Sequence, residues 1–519
     1  MRQKHNKFNM SDRSENSRTL AKNTMFLYIR MLLSMLVSLY TSRVILQYLG
    51  VEDYGIYNAV GGVVGMFGII SGSLSTSISR TLTYELGTGN KEKLRKVFSM
   101  SINIQALIII VIFLIGETVA VWFLNSKMNI PVGRIVAANW ILQFSLLTFA
   151  FNLISLPYNA SLIAHEKMGV FAYVGIFEVL MKLIIVYLLI ISPIDRLVFY
   201  GFLLMLVSVL IQIIYLFYCK RNFEECTFHF INDKNIYKEL FGFATWNFIG
   251  SVSSILRSQG VNIILNIFFG PVVNAARAIS MQVNNAVNSF VNNFMVALTP
   301  QITKAYAQGN YSYLLQCIYK GSKFSFFLLY FLSLPILIET DYILKLWLVN
   351  VPDTTVWFVR YVILFSLVDT YSRALINANN ATGDIKYYQI VIGSLNLTVL
   401  PIVYIALILG ASAESTVLVS VFISLIGLFP RIHFNKKHFP ITYKDYVRSV
   451  IIPTIIVSIV AFIFPFTASQ CMPKNFLSLI GVILLCFISS SLSILFIGCT
   501  TEERTYVHTF IKNKFAKSR

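Results

Sequence analysis

The chain has 519 residues, 56% of them hydrophobic and only 13% charged, which leaves too little polar surface to cover a soluble globule. Its formal net charge of +19 would point to nucleic acid in a soluble protein, but here the placement of the charge along the chain argues against that partner. The six cysteines lack the even spacing of an exported disulfide framework, so free thiols are expected.

A polar, basic tail, 1–23, opens the chain without the pattern of a cleaved signal peptide, so the first apolar run is expected to remain. Runs long enough to cross a hydrocarbon core of about 30 Å then recur at 24–47, 54–79, 98–124, 136–160, 169–191, 197–218, 241–268, 272–299, 324–346, 357–378, 386–410, 413–430, 447–467 and 476–499. The expected fold is an all-α integral membrane protein of about fourteen transmembrane helices. The runs at 54–79 and 272–299 are rich in Gly, Ser and Asn and are weak by hydropathy.

Of the 42 Lys and Arg, 30 fall in the two tails or in loops after even-numbered spans. Odd-numbered loops and their flanks hold Lys127, Arg134, Arg196, Lys345, Arg360 and Lys474. By the positive-inside rule both termini, including the basic tail 500–519, are cytoplasmic.

Sliding the chain by 220 positions places Leu49-Gly50 on Phe269-Gly270 and Thr88-Gly89-Asn90 on Gln308-Gly309-Asn310. One position further, Phe144-Ser145-Leu146 meets Phe365-Ser366-Leu367, and Asn159-Ala160-Ser161 meets Asn380-Ala381-Thr382. The period predicts two pseudo-symmetric six-helix lobes, 24–218 and 241–430, joined by a cytoplasmic linker, 219–240, with two extra spans, 447–499. Lobes with an even number of crossings run in the same direction, which predicts a central cleft suited to alternating access.

A charge inside the membrane costs at least about 2.5 kcal/mol, so Arg30 and Arg43 in span 1, Arg257 in span 7 and Arg277 in span 8 are candidates for the wall of that cleft. Asn274, Arg277, Met281, Asn285, Asn288 and Asn292 share one face of span 8. Interhelical hydrogen bonding is the bland alternative for the asparagines, and snorkelling for Arg43. Glu178–Lys182 and Asp369–Arg373 are i, i+4 pairs whose pairing favours a structural role, with Glu178 and Asp369 kept as ion-coupling candidates. Gly61, Gly65, Gly68 and Gly72 form small-xxx-small steps expected to serve close helix packing.

Unpaired guanidiniums match a phosphate or pyrophosphate bidentately, and asparagines suit hydroxyl-rich groups, so a sugar-bearing lipid pyrophosphate fits such a cavity. Cys219, Cys226 and His229 lack a fourth ligand and a CxxC pair, so no metal or other cofactor is expected. The short loops and the lack of a nucleotide-binding glycine loop or a nucleophile–base pair argue against a membrane-embedded polymerase, ligase or glycosyltransferase, and no catalytic residue is expected.

Three segments, Leu49-Gly50-Val51-Glu52-Asp53-Tyr54-Gly55-Ile56-Tyr57, Leu156-Pro157-Tyr158-Asn159-Ala160 and Ala164-His165-Glu166-Lys167-Met168, carry a resemblance to a known family. From about residue 20 to 500 the chain resembles the O-antigen and capsule repeat-unit flippases of the multidrug/oligosaccharidyl-lipid/polysaccharide (MOP) exporter superfamily. The resemblance implies a V-shaped pair of lobes with a cationic cavity lined largely by spans 1, 2, 7 and 8. It also implies flipping of an undecaprenyl-pyrophosphate-linked oligosaccharide across the bacterial plasma membrane, with membrane lipids and polysaccharide polymerase machinery as further partners. A multidrug or cation-coupled exporter and a flippase of the peptidoglycan lipid precursor are the alternatives within the fold. His165 falls in a cytoplasmic loop in this topology and is expected to be a solvated or interfacial side chain.

Overall fold

The structure, a computed structural model, describes residues 22–505 apart from 39, 42–43, 46–47, 50–52, 54–55, 58–59, 62–63, 66, 127–129, 193, 230, 232, 270 and 348–353. The side chains at 69, 132, 266, 271, 272, 274 and 275 are also undescribed. Arg43, Lys127, the Asn274 side chain and Gly50, Val51, Glu52, Tyr54 and Gly55 of the first motif therefore lie outside the described residues.

Hydrocarbon offers the backbone no hydrogen-bond partners, so an apolar run must close its bonds within itself, and every long element among the described residues is a helix. In chain order these are α1 (22–38), α2 (Gly68–Thr88), α3 (Lys91–Ser126), α4 (Ile135–Ala164), α5 (Met168–Ile191), α6 (Arg196–Asn222), α7 (Lys234–Phe269) and α8 (Pro271–Ala307). Then come α9 (Tyr311–Ile338), a short helix (Thr340–Trp347), α10 (Thr355–Thr382), α11 (Lys386–Ile408), α12 (Ser415–Lys436), α13 (Tyr443–Cys471) and α14 (Phe476–Gly498). Ten of them are long and apolar enough to cross a membrane. Helices α1, α2, α8 and α10 are not in that set, so apolarity alone does not reach the expected fourteen; α8 carries its asparagines and α10 Asp369 and Arg373 within the helix.

Several boundaries differ from expectation, α2 running on to Thr88 and α8 to Ala307 among them, and two of the differences move charged residues. The expected span 324–346 is in fact α9, which starts at Tyr311 and ends at Ile338 before the short helix. Charge misled the reading there: Lys323 looks like a loop residue but is buried against Glu503 at 2.7 Å. Likewise α12 continues past 430 to Lys436, which takes Arg431 out of the expected loop and buries it.

The self-similar corners are built alike. Gly89 and Gly309 take left-handed backbone, φ 76° and 66°, which side chains with a Cβ resist. Each is followed by an asparagine N-cap: Asn90 accepts from the Lys93 N–H at 3.0 Å and Asn310 from the Tyr313 N–H at 3.2 Å.

The chain forms two compact units. Unit 1 is Met1–Ser251 with Thr303–Gly309, and unit 2 is Val252–Ile302 with Asn310–Arg519, so the division falls inside α7. In unit 1, Ile141, Leu142 and Leu146 of α4 pack with Leu197 and Val207 of α6. The last turn of α8 belongs to this unit: a Cβ on Gly87 would stand 2.9 Å from the Ala307 Cβ, and Lys304 pairs with Glu166 at 2.9 Å. In unit 2, Phe358 and Val362 of α10 pack with Val399 and Val403 of α11.

No described residue takes up the close packing expected at Gly61, Gly65, Gly68 and Gly72. A Cβ at any of them would meet nothing within 4 Å among the described residues. Small-xxx-small spacing permits close approach but does not supply the neighbour. Gly175 instead makes room: a Cβ there would collide with the Arg30 side chain.

Candidate functional site

Unit 2 places five charged side chains, Arg257, Arg277, Asp369, Arg373 and Arg431, within its helices. Asp369 and Arg373 share a face of α10, one turn apart, and the Arg373 Nε lies 3.5 Å from the Asp369 carboxylate. The same guanidinium donates through Nη2 to Asn288 Oδ1 at 2.6 Å and through Nη1 to Asn292 Oδ1. Asn288 also donates to Ser366 Oγ at 3.0 Å and to Asn284 Oδ1 at 2.9 Å, and Ser366 donates to Asn284 Oδ1 at 2.6 Å. Asn284, Asn288 and Ser366 are buried, so this polar cluster fixes α8 against α10.

Beside it, Arg257 of α7 donates to Asn396 Oδ1 at 3.3 Å and lies over the Phe365 ring at 5.3 Å, within electrostatic reach of Asp369 and Arg431. Arg277 of α8 is only 8% exposed. It donates through Nη2 to the Ser258 carbonyl at 3.3 Å, while its Nη1 has no hydrogen-bond partner among the described residues. Its charge interacts with that of Arg257. Arg431 of α12 reaches the Tyr388 hydroxyl, its Nε has no hydrogen-bond partner among the described residues, and a Cβ on Gly427 would collide with its guanidinium.

Four guanidiniums, Arg257, Arg277, Arg373 and Arg431, thus share one neighbourhood, with Asp369 as the carboxylate set among them. Like charges at low dielectric repel by several kcal/mol even at an effective constant near 20, and a buried donor without a partner costs about 1–3 kcal/mol. Such an arrangement is stabilised by an anion that satisfies the spare donors.

The other sequence-derived candidates divide. Asn285 is exposed with no recorded partner, and Asn292 is exposed apart from its bond to Arg373. In unit 1, Arg30 lies over the Phe171 ring at 4.4 Å, packs on Gly175, and is within electrostatic reach of Glu178. Glu178 itself pairs with Lys182 at 2.6 Å. Arg30 is therefore aromatic-packed and charge-compensated, unlike the group in unit 2. Arg431 and Asn284 escaped the sequence reading. The first sits one residue beyond an assumed span end; the second lies off the expected α8 face, although the Asn284/Asn288 spacing of four was a usable signal.

Of the solvated or interfacial placements expected for His165, a freely solvated side chain is not what the structure shows: the residue is half-buried at the end of α4. Its ring stacks on Phe223 at 4.1 Å and its Nε2 lies 2.6 Å from the Glu225 carboxylate. Although burial opposes its charge, the hydrogen bond with His165 and a backbone N–H hold the Glu225 carboxyl below the usual carboxylate range. The next residue, Glu166, takes φ 56°, and its carbonyl accepts from Asn23 Nδ2 at 3.1 Å. This turn ties α1, α4 and the end of α8 together within unit 1. Cys219 and Cys226 are buried free thiols, and no group of three metal-ligating side chains occurs among the described residues.

Ten long apolar helices among the described residues, arranged in two compact units, define a multi-pass membrane protein. The same fold occurs in an outward-facing multidrug resistance MATE family transporter of the MOP superfamily, with TM-score 0.70 and 12% identity over 81% of this chain and 96% of that one. A MATE structure in the straight conformation gives 0.69 and 14% over 81% and 97%. A MOP superfamily transporter from Pyrococcus furiosus, described as having a binding pocket of reverse polarity, gives 0.65 and 14% over 80% and 96%. No curated protein matches the chain. The chain belongs to the polysaccharide biosynthesis protein family, whose model matches residues 20–306.

Proposed function

We propose that this protein is a flippase that carries a polyprenyl-pyrophosphate-linked oligosaccharide repeat unit across the bacterial plasma membrane by alternating access, for O-antigen, capsule or exopolysaccharide synthesis. The observation that carries this reading is the charge imbalance in unit 2, where Arg257 interacts with Asp369 and Arg431, Arg373 pairs with the same Asp369, and the charge on Arg277 is set against that of Arg257. A pyrophosphate supplies the two or more negative charges and the acceptor oxygens that this group lacks. The neighbouring Asn285 and Asn292 offer amides suited to sugar hydroxyls. Membership of a polysaccharide biosynthesis family supports the same substrate class. A cationic or amphipathic drug would meet repulsion at this group, which disfavours the multidrug reading.

In this reading both termini are cytoplasmic, the two six-helix lobes rock about the substrate, and the two C-terminal helices flank the second lobe. Arg30 and Arg43 assist from the first lobe, and Asp369 or Glu178 takes up the coupling ion. Polymerase machinery consumes the flipped unit. The test is to delete the gene in its host and follow labelled lipid-linked glycans. Complete repeat units trapped on the cytoplasmic leaflet, with loss of surface polymer, are expected. Normal surface glycan with altered drug sensitivity would overturn the proposal in favour of a multidrug exporter, and incomplete repeat units would overturn it in favour of an enzyme.

A further inference from the structure

A cleft of about 470 Å³ opens in unit 2 where α9, the first turns of α13 and the end of α14 converge. At its inner end Lys323 and Glu503 are both buried and paired at 2.7 Å. The Thr500 N–H donates to the same carboxylate at 2.9 Å, so this pair is internally satisfied and leaves no charge for a ligand. Two further cations line the cleft, Lys320 from α9 and Arg448 from α13, and both are exposed. Neither has an acidic partner recorded among the described residues. Exposed Glu502 shares the lining, so the free groups leave one net positive charge, and Gln316, Ser449 and Thr500 add neutral donors.

Arg448 also heads a lipid-facing stripe. At steps of four, three, four and four follow Ile452, Ile455, Ile459 and Ile463, exposed by 46%, 49%, 56% and 55%, all on one side of α13. A cationic cleft that continues into an apolar stripe fits a molecule with an anionic head and a hydrocarbon tail. Lys320, Arg448 and the segment after α14 also belong to the basic side assigned to the cytoplasm, where anionic lipid headgroups meet basic clefts between helices.

We propose that this cleft seats the phosphodiester headgroup of an anionic membrane phospholipid, whose acyl chain follows the isoleucine stripe of α13. The site is separate from the arginine group around Asp369, and its occupancy is measured without transport. The purified full chain is incubated with equimolar phosphatidylglycerol and phosphatidylcholine, and retained lipid is read by native mass spectrometry. Phosphatidylglycerol is expected to be preferred, and the double variant Lys320→Ala/Arg448→Ala to bind it about 30-fold more weakly. Removing equal charge elsewhere, with Lys91→Ala/Arg95→Ala on exposed α3 positions, leaves retention unchanged. Equal retention of both lipids, or undiminished phosphatidylglycerol on the Lys320→Ala/Arg448→Ala protein, would overturn the proposal. Displacement of the lipid by micromolar inorganic phosphate would overturn the lipid assignment and make the cleft a soluble-phosphate site.

Discussion

Arg30 in unit 1 and the arginines of unit 2 meet the same physical problem and solve it differently. Arg30 spreads its guanidinium over Phe171, fits against Gly175 and has Glu178, itself paired with Lys182, within electrostatic reach, so its charge is answered in part inside the fold. In unit 2 Arg257 and Arg373 share Asp369, Arg277 lies within electrostatic reach of Arg257, and Arg277 keeps one buried nitrogen with no hydrogen-bond partner among the described residues. Retaining an unanswered charge is costly, and a fold that keeps several in one place reserves them for something absent from the chain itself. Intramembrane arginine alone therefore does not mark a binding group; in the proposed reading it is the lack of compensation that does.

The largest effect that would break this contrast comes from unit 2. Arg257→Ala, Arg277→Ala and Arg431→Ala should each lower export of lipid-linked glycan at least about tenfold, the loss of one charge-assisted interaction of about 1.5–3 kcal/mol, with membrane levels retained on immunoblots. Wild-type export in all three would remove the basis of the contrast. Asp369→Asn keeps the shape but takes away the carboxylate shared by the arginines. It should lower the purified protein's stability by about 1–3 kcal/mol, seen as a reduced midpoint in thermal unfolding, and added pyrophosphate should restore part of that loss. An unchanged midpoint would mean that Asp369 answers none of these charges.

Arg30→Ala should act more weakly, reducing export by about two- to fivefold, because what it removes is mainly ring packing and a half-compensated charge worth about 1 kcal/mol. A loss as deep as that of Arg277→Ala would erase the distinction between the units. The smallest effect belongs to Gly72→Ala. Nothing among the described residues lies within 4 Å of the added methyl, so thermal stability should stay level or rise by up to about 1 kcal/mol from the better helix former. A clear destabilisation would restore the packing role that the sequence pattern had implied.

Much of this was legible before any coordinates. Apolar runs placed most helices within a few residues, because hydrocarbon leaves the backbone no alternative to internal bonding. The offset of 220 anticipated that Gly89-Asn90 and Gly309-Asn310 make the same corner. The cost of burial picked out Arg257 and Arg277, and helical spacing put Asn288 and Asn292 on the face that meets Arg373. What stayed hidden depends on partners distant in sequence. Lys323 and Arg431 looked like loop cations because nothing local announces that Glu503, 180 residues on, and Tyr388 receive them. The approach of Arg257 to the Asp369–Arg373 pair is tertiary, and the i, i+4 spacing alone favoured a structural role while leaving Asp369 open as an ion-coupling candidate. For the glycine stripe, too, spacing states what a helix permits and not what packs against it.

The most direct test of the central claim is a reconstituted flipping measurement. Proteoliposomes loaded on one leaflet with a polyprenyl-pyrophosphate oligosaccharide are compared for the wild-type protein and the Arg257→Ala/Arg277→Ala double variant, with a neutral polyprenol-linked glycan as control. The account predicts that the wild type moves the pyrophosphate-linked glycan far faster than the neutral one and that the double variant loses this preference. Equal movement of charged and neutral carriers by the wild type, or an undiminished preference in the double variant, would contradict it.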